Sequence, residues 1–540
     1  MSTPPYFLAN STLVEPLVQG WAAWWMTVAP VPASLHLHYS LVPLLQSYLQ
    51  SPDFHARAAK DPQLSGAAFV GVPAARAGQV RTLLQEMLTE QKERLQLAKA
   101  LEEFQPWFLA EARGQPLAPF YEKLPAPLRG MVELVYDYNN RPTVRMLEGM
   151  TYRSPYHLPS LQALRLTRLG ADAEREPLMT TPRLPEPGAL DWRVPFHDAR
   201  VDELFRLDTR PQPLGRIAEL LGVAAPDSLL PLLTPEAPSL PAPWEGQGPR
   251  IRYLGHATVL VEWKGRTVLV DPLVSPRPAN GGASRFSFRD LPERIDYAVV
   301  THAHADHFTL ETLLRLRHRV GKLVVPRSAG MLLGDVSLRR LAMEAGFPDV
   351  VEVDSFETLP LPDGELISVP FLGEHGDVAH GKSAYVVRAG QEQILFAADA
   401  ACHDDTVYRR VRQALGPIQT VFMNTELEGS PLGFGQEALF PRRRDRKLDK
   451  ERRCRGSNAA EGLRLLEVVG AKRLYNYAMG LEPWLAPIIG PASPPESTRM
   501  RESDKLLGEA RGRGLEAVRL DGVTELVLTP SIGTGSTRTC

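Results

Sequence analysis

The sequence predicts an α/β protein in two parts: a mixed, largely helical amino-terminal α/β domain, then a layered domain of strands and helices. Three observations support this prediction. The 540 residues exceed one ordinary hydrophobic core. Seven prolines lie between Pro226 and Pro249, which indicates an extended connector. Beyond the connector, short apolar runs alternate with helical patterns. We therefore place the domains at residues 1–240 and 241–540.

The composition excludes several classes of protein. Hydrophobic residues make up 44% of the chain, charged residues 23%, and the net charge is -2. Such a chain is globular and has no overall electrostatic attraction to nucleic acid or anionic membranes. The longest early apolar stretch, Trp21–Pro32, is too short to cross a bilayer. The three cysteines form no CxxC pair, so we expect neither a disulfide framework nor a thiolate metal site, and we expect a cytoplasmic location.

The amino-terminal half shows scaffold patterns rather than chemistry. Val80–Phe104 contains neither glycine nor proline and has apolar residues at helical spacing, which predicts one long packed helix. His36 and His38 alternate as they would on one face of a strand, but no acidic residue accompanies them, which favours a structural role. The tryptophans of the apolar stretch, Trp21, Trp24 and Trp25, are expected in a core or a dimer contact.

The elements of the second half are short and regular. The segment IRYLGHATVLVEW, a turn at Lys264-Gly265 and then RTVLVDPLV predict a β-hairpin. IDYAVV is an apolar strand that runs into a polar loop, and Leu310–His318 is a short helix. Further strands alternate with a helix over Asn458–Val469, which indicates an α/β layered domain.

The polar loop carries the strongest chemical signal in the chain. Three histidines and an aspartate lie within six residues: His302, His304, Asp306 and His307. In an extended chain His302 and His304 point the same way and can bind one ion together. After a turn, Asp306 and His307 can face a second ion. Imidazole and carboxylate ligands suit zinc, iron or manganese.

This HxHxDH motif, preceded by LGHAT and VLVDP, resembles the metallo-β-lactamase superfamily over about residues 250–535. The resemblance implies an αββα sandwich, in which two sheets pack face to face with helices outside and a binuclear metal site lies at one edge. It also implies that His302 and His304 bind the first metal, that Asp306 and His307 bind the second, and that Asp399 bridges the two. His256 would lie near the site without being a ligand. Asp271 either orients the histidine loop or only forms the turn before Pro272.

Two departures from the superfamily pattern matter. In the segment PFLGEHGDVAH, Glu374, His375 and His380 compete to be the third ligand of the first metal. The late histidine that usually completes the second metal is missing, because the last histidine of the chain is His403. Either Tyr477 or Glu482 replaces it, or the second metal keeps an open position. Carboxylate in place of imidazole favours iron or manganese over zinc.

The length, the domain order and Gly373-Glu374-His375 resemble more closely the diiron aminoacyl β-hydroxylases of nonribosomal peptide and chloramphenicol biosynthesis. That resemblance implies two iron ions, O2 as co-substrate, an external electron donor and a substrate tethered to a carrier domain. Glu374 and Asp399 would be the catalytic ligands, and His375 would be structural. The amino-terminal domain would serve dimerisation or carrier docking, and we expect a homodimer. The alternative is a zinc- or manganese-dependent hydrolase, a lactonase or a phosphodiesterase.

A basic stretch, Phe440–Arg455, has nine basic and three acidic residues. It is either a solvated loop or a docking surface for an acidic carrier domain, with Arg442, Arg443 and Arg444 at its centre. No aromatic residue is interleaved with the basic ones, so we do not expect nucleic-acid binding.

Overall fold

The structure is a computed structural model. It describes residues 4–528 apart from 62, 63, 65–67, 329–335, 374–380 and 428–454. Glu374, His375 and His380 lie outside the described residues, as do Arg442, Arg443 and Arg444. The interpretations of these residues therefore stay predictions. None of the helices in the described part of the chain is long and apolar enough to cross a membrane.

The amino-terminal half combines small sheets with helices. Its strands are β1 (Phe7–Leu8), β2 (Thr12–Val18), β3 (Trp21–Ala22), β4 (Val132–Tyr136), β5 (Pro142–Met146), β6 (Gln162–Arg168), β7 (Leu190–Arg193) and β8 (Leu233–Thr234). Its helices are α1 (Trp25–Val28), α2 (Pro30–His36), α3 (Val42–Gln50), α4 (Pro52–Ala58), α5 (Ala77–Glu90), α6 (Lys92–Glu111), α7 (Ala118–Glu122), α8 (Glu148–Thr151), α9 (Ala199–Arg206) and α10 (Leu214–Leu221). The largest sheet has the order β3-β2-β6-β7 and is antiparallel throughout.

Two predictions about local structure in this half are wrong. The long helix is two helices, α5 and α6, because Gln91 leaves the helical conformation at φ -109° and ψ 26°. Its buried amide instead bonds the side chains of Gln19 and Arg94. His36 and His38 lie on α2 and a following π-helix rather than on a strand. Prolines in the first turn of α2 favour the helix, since their missing N–H groups need no partner there.

The proline-rich connector is partly ordered at its start. Pro226–Leu232 forms a 3₁₀-helix, and β8 then pairs with β1 at the beginning of the chain. Trp21, Trp24 and Trp25 are at most 8% exposed and lie within hydrophobic clusters. Packing of these tryptophans in a core is therefore confirmed, and a dimer stays a prediction.

The carboxy-terminal half contains two seven-stranded sheets. Its strands are β9 (Arg250–Gly255), β10 (Thr258–Trp263), β11 (Arg266–Val270), β12 (Ile295–Val299), β13 (Val320–Pro326), β14 (Val350–Val353), β15 (Thr358–Leu361), β16 (Gly364–Val369), β17 (Ala384–Ala389), β18 (Glu392–Phe396), β19 (Thr420–Met423), β20 (Arg473–Asn476), β21 (Glu516–Arg519) and β22 (Thr524–Val527). The first sheet has the order β14-β13-β12-β11-β10-β9-β22, and the second β15-β16-β17-β18-β19-β20-β21. The predicted hairpin is β10–β11, with Lys264 and Gly265 both at positive φ in its turn.

The two sheets pack face to face, and helices cover their outer faces. These helices are α11 (Leu310–Leu316), α12 (Leu338–Glu344), α13 (Asp405–Leu415), α14 (Ala459–Val469), α15 (Ala486–Ile489) and α16 (Thr498–Gly512). On β11, Val268 and Val270 enter the cluster between the sheets while Leu269 enters the cluster on the outer face. Burial on both faces explains why this strand is apolar without alternation. The predicted αββα sandwich is confirmed.

The amino-terminal half packs on the outer face of the first sheet. One hydrophobic cluster runs from Leu8 through the helices of the first half to Leu269 and Leu313. Buried ion pairs join the same surfaces. Arg315 of α11 donates to both carboxylate oxygens of Asp208, at 2.7 and 3.0 Å. The proposed boundary near residue 240 stays a prediction, because the two parts share this core.

We predict that Asp208→Asn lowers the free energy of unfolding by about 3–5 kcal/mol, because it leaves the guanidinium of Arg315 buried without its counter-charge. Urea denaturation measures the loss. Glu219→Gln is the control: Glu219 pairs with Arg216 at 2.8 Å, but both side chains are more than half exposed. That control should change stability by no more than about 0.5 kcal/mol. An Asp208→Asn protein as stable as the control would contradict the prediction.

We also predict an acid-labile contribution from Glu15. Burial opposes ionisation of this carboxylate, but Arg183 and Arg175 outweigh burial and lower its pKa to about 2. Because the folded pKa lies below the ordinary glutamate value of 4.5, the stabilisation is complete above that pH and is lost as pH falls toward about 2. Glu15→Gln should remove this part of the pH dependence, whereas Glu103→Gln, at an exposed ion pair, should keep it. Identical pH profiles for wild type and Glu15→Gln would refute it.

Candidate metal centre

Asp271 follows β11 and fixes the histidine loop that follows the neighbouring strand β12. Its side chain is fully buried and accepts from the N–H and the hydroxyl of Thr301, both at 2.7 Å. Asp271 Oδ2 also lies 2.8 Å from Nδ1 of His307. A carboxylate only accepts, so the Nδ1 proton of His307 points to Asp271 and Nε2 is left to face the site. Of the two interpretations of Asp271, orientation of the loop agrees with these contacts.

Asp399 lies between two histidines of the loop. Its Oδ2 atom is 3.4 Å from Nε2 of His302 and 3.2 Å from Nε2 of His307. His302 and His307 are fully buried, and Asp399 is 3% exposed. Two donor atoms that bind the same metal ion at about 2.1 Å lie about 3–3.5 Å apart. The distances from Asp399 to the two histidines therefore suit a carboxylate that shares an ion with each of them. The ligand roles of these residues remain predictions.

The turn after β18 presents Asp399 to the loop. Ala398 adopts a positive φ of 46°, and its N–H donates to the hydroxyl of Tyr477 at 3.1 Å. The side-chain amide of Asn424 donates to Oδ1 of Asp399. Asn424 was missed in the sequence, although it follows β19, which pairs in parallel with β18. Carboxyl ends of neighbouring parallel strands share one edge of a sheet, and that rule would have placed it near Asp399.

His304 lies beside His302, with ring centroids 4.6 Å apart. The backbone of His302 pairs with that of Lys382. The chain turns after His304, whose carbonyl accepts from the N–H groups of His307 and Phe308 at 3.0 and 2.7 Å. This turn, expected from the sequence, brings His307 back to the same site.

Asp306 contacts His256, which lies in the turn between β9 and β10. Its Oδ2 atom lies 2.9 Å from Nε2 of His256 and 3.8 Å from Nε2 of His307. The ligand atoms of His256, Asp306 and His307 all lie within 4.8 Å of one another, as do those of His302, His307 and Asp399. The structure thus brings together four of the predicted residues and adds His256 to them.

Charge at the site favours a cation. Burial and the imidazole of His307 lower the pKa of His302 to about 3. Burial opposes the charged form of His307 too, but Asp399, Asp271 and Asp306 outweigh it and raise the pKa of that imidazole well above its ordinary value. Burial likewise opposes ionisation of Asp306, yet His307 and His256 hold its pKa well below the usual range. The three carboxylates of this site need nearby positive charge to remain ionised, and metal ions supply such charge.

Of the two substitutes suggested for the missing late histidine, Glu482 lies outside both groups of ligand atoms found among the described residues. The hydroxyl of Tyr477 accepts the N–H of Ala398. Oε1 of Glu482 accepts from the hydroxyl of Tyr253 and from the N–H of His256, the latter at 3.2 Å. Glu482 is 2% exposed, and its Oε2 has no hydrogen-bond partner among the described residues.

The chain matches two known sequence families. Residues 7–236 match the diiron non-heme beta-hydroxylase N-terminal domain, and residues 252–446 match the metallo-beta-lactamase superfamily. A metal-dependent hydrolase of Methanopyrus kandleri is 27% identical over 165 residues, which cover 29% of this chain and 64% of that protein.

Another relative matches almost the whole chain. The 4-amino-L-phenylalanyl-(CmlP-peptidyl-carrier-protein) 3-hydroxylase of Streptomyces venezuelae is 35% identical over 530 residues, covering 95% of this chain and 98% of the relative. The crystal structure of CmlA, a diiron beta-hydroxylase from the same organism, superposes with a TM-score of 0.90 at 33% identity, covering 98% of this chain and 100% of that chain. The chain therefore belongs to the family of diiron non-heme β-hydroxylases, whose second half has the metallo-β-lactamase fold.

Proposed function

We propose that this protein uses two irons and dioxygen to hydroxylate the β-carbon of an amino acid that is held as a thioester on the carrier domain of a nonribosomal peptide synthetase. The observation that carries the proposal is the position of Asp399 Oδ2, about equally far from Nε2 of His302 and of His307. The name of the long relative supports the substrate class, since it describes a 3-hydroxylase of a carrier-bound aminoacyl group.

The donors present fit a pair of irons. Nε2 of His307 is buried and has no hydrogen-bond partner among the described residues, although two carboxylates lie within 3.8 Å of it. Burying a polar atom without a partner costs free energy, and a bound metal ion removes that cost. The set contains imidazole and carboxylate and no thiolate, which suits iron better than softer ions. We propose His302 and His304 for one iron, Asp306 and His307 for the other, and Asp399 between them.

When bound, the irons supply the activation of dioxygen, and the protein supplies orientation and a dry environment. Asp271 holds His307 in one tautomer, so that its Nε2 lone pair faces the site. Asn424 fixes one oxygen of Asp399 and leaves the other directed at the histidines. Phe371, 5% exposed, packs edge-on to His302 at 5.5 Å and keeps water from that side. Glu374 follows Phe371 by three residues, and its ligand and catalytic role remains a prediction outside the described residues.

The proposed reaction needs partners. One oxygen atom of O2 enters the new C–O bond and the other becomes water, which consumes two electrons and two protons beyond those of the C–H bond. We propose an external electron donor for these electrons. We propose that the carrier domain is the protein partner, that the amino-terminal domain provides the docking or dimerisation surface, and that the enzyme works as a cytoplasmic homodimer.

We predict that His304→Ala lowers iron content below the two irons per chain expected of the wild type, and lowers turnover with it, because one imidazole ligand is lost. Elemental analysis of the purified proteins measures the iron. His157→Ala is the matched control, since His157 lies in the amino-terminal half and its Nδ1 donates locally to the carbonyl of Tyr152. Full iron and full turnover in His304→Ala would show that the ligand assignment is wrong, and zinc in the wild type would favour the hydrolase.

We predict oxygen-dependent hydroxylation of an aminoacyl group on its carrier, with little or none on the free amino acid. Binding energy from the remote carrier positions the β-carbon at the site, and a free amino acid lacks that contribution. Mass spectrometry under ¹⁸O₂ measures the label in the product, and an anaerobic sample is the control. Equal turnover of the free amino acid would refute the carrier, and cleavage of the thioester without oxygen uptake would refute the hydroxylase.

A further inference from the structure

Arg319 directs one edge of its guanidinium into the contact between the two halves of the chain. The residue ends the 3₁₀-helix Arg317–Arg319, which follows α11, and it is 4% exposed. Its Nη1 donates to the carbonyl of Phe288 at 3.0 Å. Its Nε and Nη2 atoms, whose N–H bonds lie along one edge of the group, are buried and have no hydrogen-bond partner among the described residues. Buried donors of this kind cost free energy unless an acceptor binds them.

Other arginines of this protein use the same edge to bind a carboxylate. Nε and Nη2 of Arg165 donate to the two side-chain oxygens of Asp191, both at 2.6 Å. Arg250 forms the same two bonds with Glu262, at 2.7 and 3.0 Å. Two parallel donors at this spacing match an anion that accepts two hydrogen bonds at once. The edge of Arg319 presents the same two donors to its surroundings.

The carboxylate beside Arg319 is already bound by another arginine. Asp208, which is fully buried, accepts from Nε and Nη2 of Arg315 at 3.0 and 2.7 Å. Its Oδ2 lies 3.5 Å from Nη2 of Arg319 but makes no hydrogen bond with that atom. The charge of Glu293 acts on Arg319 more weakly, and Glu293 pairs with Arg210 at the surface, at 2.9 Å. Two buried guanidiniums thus share one buried carboxylate.

Two further basic side chains, Arg289 and His318, lie around the same aspartate. Arg289 is partly buried, and its Nη2 donates to the carbonyl of Leu8 at 2.7 Å, but its Nε has no hydrogen-bond partner in the described part of the chain. Burial lowers the pKa of Arg289 and of Arg319, and the charge of Asp208 does not fully offset it. Burial and Arg319 lower the pKa of His318 to about 3, so this imidazole is neutral. Three guanidiniums therefore surround a single buried carboxylate, and their excess positive charge favours an anion.

We propose that a small inorganic anion, chloride or phosphate, binds to the Nε–Nη2 edge of Arg319, with Arg289 supplying further positive charge. Both anions accept two parallel N–H bonds, which is the chemistry that this edge requires. Asp208 belongs to the amino-terminal half and Phe288 to the carboxy-terminal half, so the anion joins the two halves as a structural ligand. The site lies beyond the end of α11 that is farther from the histidine loop, and it does not depend on the proposed hydroxylase function.

Thermal unfolding of the full chain tests the site in solution. Sodium gluconate, whose anion is too large for a buried site, is replaced stepwise by sodium chloride or sodium phosphate at constant pH and ionic strength. We expect at least one of the two anions to give a saturable rise in the unfolding temperature, of about 2 °C at a hundred times its dissociation constant. Arg319→Met should abolish that rise.

The competing explanation is that ordered water alone satisfies the donors of Arg319. Water accepts the same hydrogen bonds but gives no dependence on the anion, so the absence of a saturable rise in the wild type with either salt would overturn the proposal. An unchanged rise in Arg319→Met would overturn it as well, because the anion would then bind elsewhere.

Arg94→Met is the matched control. Arg94 is a buried arginine of the amino-terminal half, and its Nε and Nη1 donate to the carbonyl of Tyr156 and to the side chain of Gln91, both at 2.8 Å. This variant should keep the wild-type response, which separates binding at Arg319 from the general effect of salts on protein stability. Equal loss of the response in both variants would contradict a site at Arg319.

Anomalous diffraction from the wild type covers the case in which Arg319→Met does not fold. Crystals grown in sodium gluconate are soaked in sodium bromide or sodium selenate, which stand in for chloride and phosphate and are located by their absorption edges. We expect a peak about 3–4 Å from Nε and Nη2 of Arg319 with the analogue of the anion that raises the unfolding temperature. No peak at this edge with either salt would overturn the proposal.

Discussion

The contact on which the site depends is the buried pair of Asp271 and His307. Asp271 ends the turn after β11 at a φ of 42°, fully buried, and accepts from the backbone and hydroxyl of Thr301 and from the ring of His307. These three donors surround the carboxylate of Asp271. Through it they connect Thr301, the first residue of the histidine loop, to His307, the last candidate ligand. A buried carboxylate with so many donors has few alternative arrangements, because each unmade bond would cost about 1–3 kcal/mol. These contacts hold the loop in one arrangement.

The amino-terminal half extends this rigidity from the opposite side. Helix α11 begins three residues after His307, and its first turn carries Glu311, which pairs with Arg175. Arg315 on the same helix pairs with Asp208, and Arg317 just beyond it with Asp202 at 2.8 Å. These partners all belong to the amino-terminal half of the chain. That half therefore holds α11, the helix that follows the histidine loop, in place. This gives the long amino-terminal region a structural task at the site beyond contact with a partner.

The sequence alone was sufficient to predict those features whose chemistry shows in a short local pattern. The HxHxDH loop, the β10–β11 hairpin and Asp399 after an apolar strand are all visible in short windows, and family resemblance supplied the αββα arrangement. Prediction failed where tertiary contacts decide. Gln91 breaks a helix that its neighbours favour because its amide bonds Gln19 and Arg94. His256 enters the site because a carboxylate 226 residues away holds its backbone, and no local pattern encodes that contact.

The position of the two irons is the central claim, and anomalous diffraction at the iron absorption edge from crystals of the iron-loaded protein measures it directly. We expect two peaks. One should lie about 2.0–2.2 Å from the ligand nitrogens of His302 and His304, and the other at a similar distance from Asp306 and His307, with a carboxylate oxygen of Asp399 between them. A single peak, or a pair of peaks out of reach of Asp399, would contradict this arrangement of the site.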